Sequence, residues 1–185
     1  MINGTVIGDD YILAKAKGIQ APVRDALIIE LALNTGLRVS ELSNLKVEHL
    51  YLKKGQNSLI VRNGKGGKDR IVQFGPGLKN QILEYMDYRT RRSEYLFTSH
   101  RGDQLTSSGI QQVFKKYARK AKLPSHYSIH SLRHTYATNL YKASGYNLRM
   151  VQKQLGHASI TTTMAYSDVI GQDLDDAIQA LETEE

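Results

Sequence analysis

Apolar residues recur at helical spacing along the chain, in short segments that glycine or proline residues separate. Val23, Leu27 and Leu31 share one face of a predicted helix, which has Pro22 in its first turn and ends before Gly36. No uninterrupted apolar run approaches the ~20 residues that a membrane span needs. The pattern therefore predicts a soluble globular protein, mainly α-helical and not inserted in a membrane.

The same patterns predict a small sheet among the helices. Strands are predicted over 58–62 and 70–74, and the glycine-rich segment between them is typical of a hairpin turn that carries Lys65 and Lys68. A short strand at 95–97, a turn at 101–103 and further helices are also predicted, the helices around 11–17, 39–45, 78–86, 110–121, 131–143, 147–155, 159–166 and 172–181. The expected fold is α+β, mainly α-helical, with a small antiparallel β-sheet and a C-terminal helix.

The charged residues divide unevenly at Tyr166. The chain has 25 lysines and arginines against 18 acidic residues, a formal net charge of +7. Seven of the acids and no lysine or arginine follow Tyr166, so the other 11 acids leave +14 on residues 1–166. Because lysine and arginine neutralise phosphates and release counterions, a body with this charge favours a polyanionic partner.

The predicted helix around 110–121 has a basic outer face. Lys115, Lys116, Arg119 and Lys120 lie largely opposite its apolar residues. Contacts to phosphates are one interpretation of this face, and a solvated helix surface is the other.

Signals for secretion, metal binding and nucleotide binding are missing from the sequence. The N-terminus lacks a basic start and an apolar stretch, and the chain has no cysteine. His130 and His134 stand four residues apart without the intervening glutamate of a zinc protease, and the hairpin lacks the P-loop pattern. We therefore predict a cytoplasmic protein with no metal and no other cofactor.

Six polar residues lie at boundaries between predicted elements and form a chemically coherent set. Guanidinium groups bind the non-bridging oxygens of a phosphodiester and stabilise the charge of its transition state. A tyrosine can attack phosphorus when cations and a proton acceptor such as histidine lie nearby, and a hairpin lysine can protonate the leaving oxygen. The set comprises Arg38, Lys65, His130, Arg133, His157 and Tyr166.

Four segments that hold these residues resemble the tyrosine recombinases, also called phage integrases. Residues 35–42 (TGLRVSEL) resemble the first arginine box of that family, and residues 64–72 resemble its catalytic-lysine hairpin. Residues 130–135 (HSLRHT) resemble its H-x-x-R box, and 155–163 (LGHASITTT) followed by Tyr166 resemble its final box. The four boxes occur in order over nearly the whole chain, and together they imply the tyrosine-recombinase catalytic fold.

The resemblance implies a reaction and a role for each site residue. Tyr166 would attack one DNA strand, forming a 3′-phosphotyrosyl link and releasing a 5′-hydroxyl, and the 5′-hydroxyl of a partner strand would reverse the step without ATP or metal. By the same resemblance Arg38 and Arg133 would clamp the phosphate, Glu41 would orient the site, and His134 would be a packed structural histidine. Lys65 would be the general acid, His130 the general base and His157 a phosphate ligand.

Double-stranded DNA is thus the expected partner. Besides the catalytic set, the residues expected to bind it are Lys68, Arg70, Lys115, Lys116, Arg119 and Lys120. If about six phosphates are contacted, the logarithm of affinity should fall against that of salt with a slope near −5. The alternatives are a regulator or accessory protein that binds DNA on the same fold without cutting it, and a relaxing topoisomerase.

Two questions of organisation stay open at this point. The catalytic boxes begin near residue 20 with no core-binding domain ahead of them, so the chain is expected to be either a fragment of a longer recombinase or a minimal single-domain one. Residues 1–166 would form the catalytic body. The tail, 167–185, is a frayed solvated helix, a helix packed in trans on a neighbour within a synaptic tetramer, or one packed in cis on the basic body.

Overall fold

The structure is a computed structural model that describes residues 20–62, 68–89 and 93–156. The helices predicted around 11–17, 159–166 and 172–181 and the hairpin tip at 63–67 lie outside the described residues. Within them the helices are α1 (Gln20–Thr35), α2 (Val39–Ser43), α3 (Pro76–Tyr88), α4 (Ser107–Lys120), α5 (Ile129–Ala143) and α6 (Leu148–Leu155), and the strands are β1 (Leu50–Tyr51), β2 (Ser58–Val61) and β3 (Arg70–Gln73).

Glycines end two of the helices that border the site. Gly36 follows α1 with a φ of +62°, and Gly156 follows α6 with a φ of +66°. Glycine adopts this left-handed conformation at little cost because it has no Cβ. Both ends were predicted from the sequence, and the structure confirms them.

Helix α1 lies at the centre of the described fold. Most of its side chains are buried, and it packs against α3, α4 and α5. This explains its near-continuous apolar sequence, since a helix covered on several sides needs no polar face. A smaller apolar cluster joins α5 to α6 through Ala137, Tyr141, Val151 and Leu155.

The three strands form one antiparallel sheet in the order β1, β2, β3. Ser58 pairs with Gln73 and Val61 with Arg70, so β3 lies at an edge of the sheet, where it contacts α6. The predicted mainly helical fold with a small antiparallel sheet is therefore confirmed.

The prediction of a strand at 95–97 was wrong. Two isolated bridges, Lys46 with Tyr95 and Thr98 with Gln104, flank a buried Leu96 and Phe97. Each neighbouring segment pairs at a single position, so no ladder forms, and burial accounts for the apolar run.

The structure differs from two smaller predictions as well. His134 is exposed on α5 rather than packed as a structural histidine, because the buried face of that helix carries Leu132, Arg133 and Ala137. Helix α2 ends at Ser43, so Leu45, expected within it, lies in the segment that follows. In the described part of the chain, no helix has the length and apolar character needed to cross a membrane.

Candidate active site

Arg38 precedes the first residue of α2 in an extended conformation, with φ −70° and ψ 156°. Its backbone N–H donates to Oε2 of Glu41 at 2.7 Å, and its Nη1 donates to Oε1 at 2.9 Å. Glu41 occupies the third position of the helix, where a carboxylate can satisfy an unpaired N–H group at the helix start. The Arg38 side chain keeps 24% of its surface exposed, so it is held from one side and open on the other.

Arg70, the first residue of β3, binds the same carboxylate as a fork. Its Nη1 donates to Oε1 of Glu41 at 2.7 Å and its Nη2 donates to Oε2 at 2.8 Å. Burial of Glu41 opposes its ionisation, but the hydrogen bonds and positive charges of Arg70 and Arg38 outweigh burial and lower its pKa to about 2. Glu41 is therefore ionised throughout the physiological pH range.

Arg133 is buried in α5, where it is 7% exposed, and it joins two other segments of the site. Its Nη1 donates to the carbonyl oxygen of Gly36, two residues before Arg38, and its Nη2 donates to that of Leu155 at 3.0 Å. Sequence reasoning predicted Arg133 as a phosphate ligand, and the structure adds that it fixes the turn before α2 against the end of α6.

Arg70 and Arg133 both bind carbonyl groups in the last turn of α6. Arg70 Nε donates to the carbonyl oxygen of Gln154 at 3.2 Å, next to the Leu155 carbonyl that Arg133 binds. Carbonyl groups at a helix C-terminus lack helical partners and attract cations. Gly156, with its left-handed backbone, ends the helix directly after these carbonyls.

The remaining predicted catalytic residues divide into two groups. His130 is exposed in the first turn of α5, three residues before Arg133 on the same helix. Lys65, His157 and Tyr166 lie outside the described residues. The structure thus hydrogen-bonds Arg38 to Glu41, joins Arg133 to Gly36 in the turn before Arg38, and carries His130 on the same helix as Arg133.

The predicted DNA-contacting residues differ in how open they are. Lys68 is exposed at the start of the segment that leads into β3. The four cations of α4 are exposed on its outer face, and α4 packs against α2. One of them, Lys116, also lies 3.6 Å from the buried Asp25 and 3.3 Å from the hydroxyl of Tyr117. We therefore expect Lys116 to contribute less to DNA contact than Lys115 or Arg119.

The structure places Arg70 differently from the expectation. It was expected to bind DNA, but its side chain is only 10% exposed and its donors are directed at Glu41 and Gln154. The Glu41 carboxylate neutralises this guanidinium, whereas the carbonyl groups that bind Arg133 carry no net charge and do not neutralise it. We therefore assign Arg70 a supporting role.

No described residues form a cluster of three or more histidine, aspartate or glutamate side chains that could hold a metal ion. The electrostatics of the described site come instead from three arginines and one carboxylate. Such an arrangement favours an anionic ligand with several oxygen atoms, because guanidinium groups bind oxyanions in a fixed geometry.

Comparison with known proteins identifies the family. The model of the phage integrase family matches residues 10–172. The chain belongs to the phage integrase family.

The relatives of this integrase-family chain include proteins named tyrosine recombinases. It is 41% identical over 160 residues to tyrosine recombinase XerA of Pyrococcus furiosus, a match that covers 85% of this chain and 54% of the relative. It is also 41% identical over 165 residues to tyrosine recombinase XerD of Ralstonia nicotianae, which covers 85% and 53%. The chain spans about half the length of these relatives.

Solved structures show the same fold. A crystal structure of XerA recombinase superimposes with a TM-score of 0.73 at 29% identity, covering 93% of this chain and 63% of that one. XerH recombinase bound to a palindromic difH substrate, in a post-cleavage complex, gives a TM-score of 0.75 at 27% identity, covering 94% and 51%. The fold expected from the resemblance is therefore confirmed.

Sequence reasoning missed Gln154, whose side chain joins α6 to β3 beside this phage integrase site. The side-chain amide of Gln154 donates to the carbonyl oxygen of Gln73 at 2.6 Å and accepts from its N–H at 3.3 Å. It also donates to the hydroxyl of Tyr136 at 3.0 Å. A single polar residue on a short amphipathic helix gives no sequence signal of such a role.

Proposed function

We propose that this chain is the catalytic part of a site-specific DNA recombinase, which cuts and rejoins double-stranded DNA through a 3′-phosphotyrosyl intermediate. One observation carries the proposal. Buried Arg133 ties the turn before Arg38 to the helix end before His157, so three separate boxes of the sequence converge where a phosphate could be held. The names of the relatives, tyrosine recombinases, support the same reaction.

The proposed residues account for every bond and proton that changes in the reaction. The phenol oxygen of Tyr166 attacks phosphorus and the bond to the 5′ oxygen breaks, so the phosphodiester energy is kept in the phosphotyrosyl bond. The phenol proton passes to His130, and Lys65 protonates the leaving 5′ oxygen. Attack by the 5′-hydroxyl of a partner strand reverses each transfer.

The two catalytic arginines would stabilise the extra negative charge of the transition state. Arg38 and Arg133 each carry a fixed positive charge, and their orientations are set before substrate binds by Glu41 on one side and by the Gly36 and Leu155 carbonyls on the other. Preorganised donors of this kind need no rearrangement during the reaction. His157 would add a further hydrogen bond to a phosphate oxygen.

The basic body and the acidic tail suit an assembly on DNA in the cytoplasm. The exposed cations Lys68, Lys115, Arg119 and Lys120, with a smaller share from Lys116, would bind phosphates on either side of the cut. The tail beyond Tyr166 would pack on a neighbouring protomer and couple the sites of a synaptic tetramer. Leu174, Ile178 and Leu181 are the apolar residues at helical spacing that such packing would bury.

The test is capture of the covalent intermediate. The chain is incubated with duplexes of varied sequence, each carrying a nick, so that a cut fragment diffuses away and the protein stays attached. We expect a covalent protein–DNA band with the natural chain and none with Tyr166→Phe, which lacks only the attacking oxygen. A band that persists with Tyr166→Phe would exclude this nucleophile, and binding without any band would favour the non-cutting regulator.

A further inference from the structure

One buried carboxylate in the candidate site is shared by two arginines. The side chain of Glu41 is 8% exposed, and its oxygens accept from Arg70 Nη1 and Nη2 and from the backbone N–H and Nη1 of Arg38. The cluster of two cations and one anion therefore has a net charge of +1. Where that net charge resides decides which arginine is available to a phosphate.

The contacts of the two arginines with Glu41 are unequal. Arg70 gives both ends of its guanidinium fork, at 2.7 and 2.8 Å, and is 10% exposed. Arg38 gives one side-chain hydrogen bond, at 2.9 Å, and is 24% exposed. A bidentate pair with a carboxylate is the stronger of the two arrangements. Arg70 thus neutralises Glu41, and the uncompensated charge lies on Arg38.

We propose that Arg70 is a positioning residue that occupies Glu41 and so keeps the guanidinium of Arg38 available to the scissile phosphate. This inference rests on the proposed function, in which Arg38 is a phosphate ligand. Without Arg70, the buried carboxylate would have Arg38 as its remaining cation among these contacts. Because a buried charge requires a partner, Glu41 would then draw Arg38 into a closed ion pair that competes with the phosphate.

Arg70 is itself held in place by the end of α6. Its Nε donates to the Gln154 carbonyl at 3.2 Å, and a Cβ added to Gly156 would lie 2.7 Å from its Cδ. The guanidinium is therefore fixed by its stem as well as by its fork. Since Arg70 begins β3, the same contacts join that strand to the end of α6.

If Arg70 keeps Glu41 away from Arg38, removing the charge of Glu41 as well should restore the phosphate binding that the loss of Arg70 weakens. Arg70→Met keeps an apolar side chain of similar length but removes the bidentate partner of Glu41, so that Glu41 pairs with Arg38. The double variant Glu41→Gln with Arg70→Met also removes the buried negative charge, so Arg38 is released, while the glutamine oxygen can still accept from the Arg38 backbone N–H. Glu41→Gln alone completes the double-mutant cycle. Arg70→Lys keeps the positive charge but cannot form the bidentate pair of a guanidinium.

Two measurements on the 185-residue chain are compared. The first is the rate of covalent attachment to the nicked duplex. The second is the affinity for inorganic phosphate, followed through the Nε–H resonance of Arg38, which reports the site even where no DNA is cut. The matched control is Arg62→Met, which removes an exposed arginine paired with Asp69 next to the same hairpin.

We expect Arg70→Met to weaken phosphate binding and slow attachment by at least about tenfold, because a competing carboxylate is unmasked. The double variant is expected to recover to within about threefold of the natural chain, and Arg70→Lys to fall between them. Arg62→Met should remain near the natural values.

A double variant that binds phosphate no better than Arg70→Met would overturn the proposal. If Arg70→Met does not fold, the comparison of Arg70→Lys with the double variant decides the same question, and equal affinities would contradict it. Failure of the natural chain to attach to DNA would instead refute the proposed function, while the phosphate titration would still decide the role of Arg70.

Discussion

At the scale of single residues, Glu41 shows how a buried charge contributes to both stability and site geometry. Its carboxylate lies between two arginines, and the hydrogen bonds and charges of those arginines outweigh the cost of burial and lower its pKa to about 2. A carboxyl group whose pKa is lower in the folded state stabilises the fold above its unfolded pKa, and that contribution falls as the group becomes protonated. The pH dependence of unfolding therefore reports this cluster.

We expect Glu41 to give the natural chain an acid-sensitive component of stability. Ionisation of Glu41 contributes about 3 kcal/mol at pH 7, and the contribution declines as pH falls from about 4.5 towards 2. Glu41→Gln should lower the free energy of unfolding at pH 7, and the gap between the two proteins should narrow by about 2 kcal/mol between pH 6 and pH 3. Urea unfolding at both pH values measures the gap, and a constant gap would contradict the lowered pKa.

Gly156 and Gly145 form a natural pair for testing close packing. Both have left-handed backbones, with φ values of +66° and +65°. A Cβ on Gly156 would lie 2.7 Å from the Arg70 side chain, whereas a Cβ on Gly145 would meet nothing within 4 Å. We expect Gly145→Ala to cost about 1 kcal/mol through its backbone alone, and Gly156→Ala to cost at least about 2 kcal/mol because it also displaces Arg70. Thermal unfolding compares them, and equal losses would show that Arg70 yields without cost.

At the scale of elements, the contact between β3 and α6 brings separate boxes of the sequence together. Strand β3 begins within the lysine box, residues 64–72, and α6 ends at Leu155, the first residue of the final box. The amide of Gln154 pairs with both backbone groups of Gln73 at the edge of the sheet, in the manner of an added strand residue. This side chain satisfies an edge that would otherwise need solvent or another strand.

Removing the Gln154 amide should loosen that edge. We expect Gln154→Ala to destabilise the chain by about 1 kcal/mol and to speed amide exchange at Gln73 by about tenfold, because the Gln73 N–H loses its acceptor. Lys153→Ala, at an exposed neighbouring position of the same helix, should leave that exchange rate unchanged. Hydrogen exchange followed by NMR measures the rate at Gln73 in both variants. Equal protection in the two would contradict the role of the Gln154 amide at this edge.

At the scale of the whole molecule, the modest net charge of +7 conceals two opposite parts. The residues up to Tyr166 carry +14, and the residues after it carry −7. In the described structure α4 presents an exposed basic face while its apolar face packs on the core. The distribution of charge therefore bears on DNA affinity more directly than the total does.

Salt dependence tests the DNA-contact proposal for α4. Arg119→Ala should weaken binding to duplex DNA regardless of sequence and should reduce the salt slope by about 1, since one phosphate contact is lost. Lys54→Ala removes an exposed charge from the turn between β1 and β2 and should leave the slope unchanged. Fluorescence anisotropy over a range of salt concentrations gives the slopes, and equal slopes for the two variants would show that α4 is a solvated surface.

Local sequence patterns were enough to predict the positions of most described helices and strands and the residue types of the site. Helical spacing, Pro22, Gly36 and Gly156 act over a few neighbouring residues, so local pattern was enough to place α1, α5 and α6 and to put Arg38 at a helix start. The strand at 95–97 was mispredicted for the same reason, because a short buried run has no period that separates a strand from a buried segment.

How the site residues are held depends on tertiary packing instead. Arg70 meets Glu41 across 29 positions of the chain and Gln154 across 84, and such contacts depend on packing that no local pattern records. From the sequence Arg70 was one more exposed cation beside a lysine hairpin. Burial against α6 made it the partner of Glu41, because a guanidinium removed from solvent must satisfy its donors within the protein.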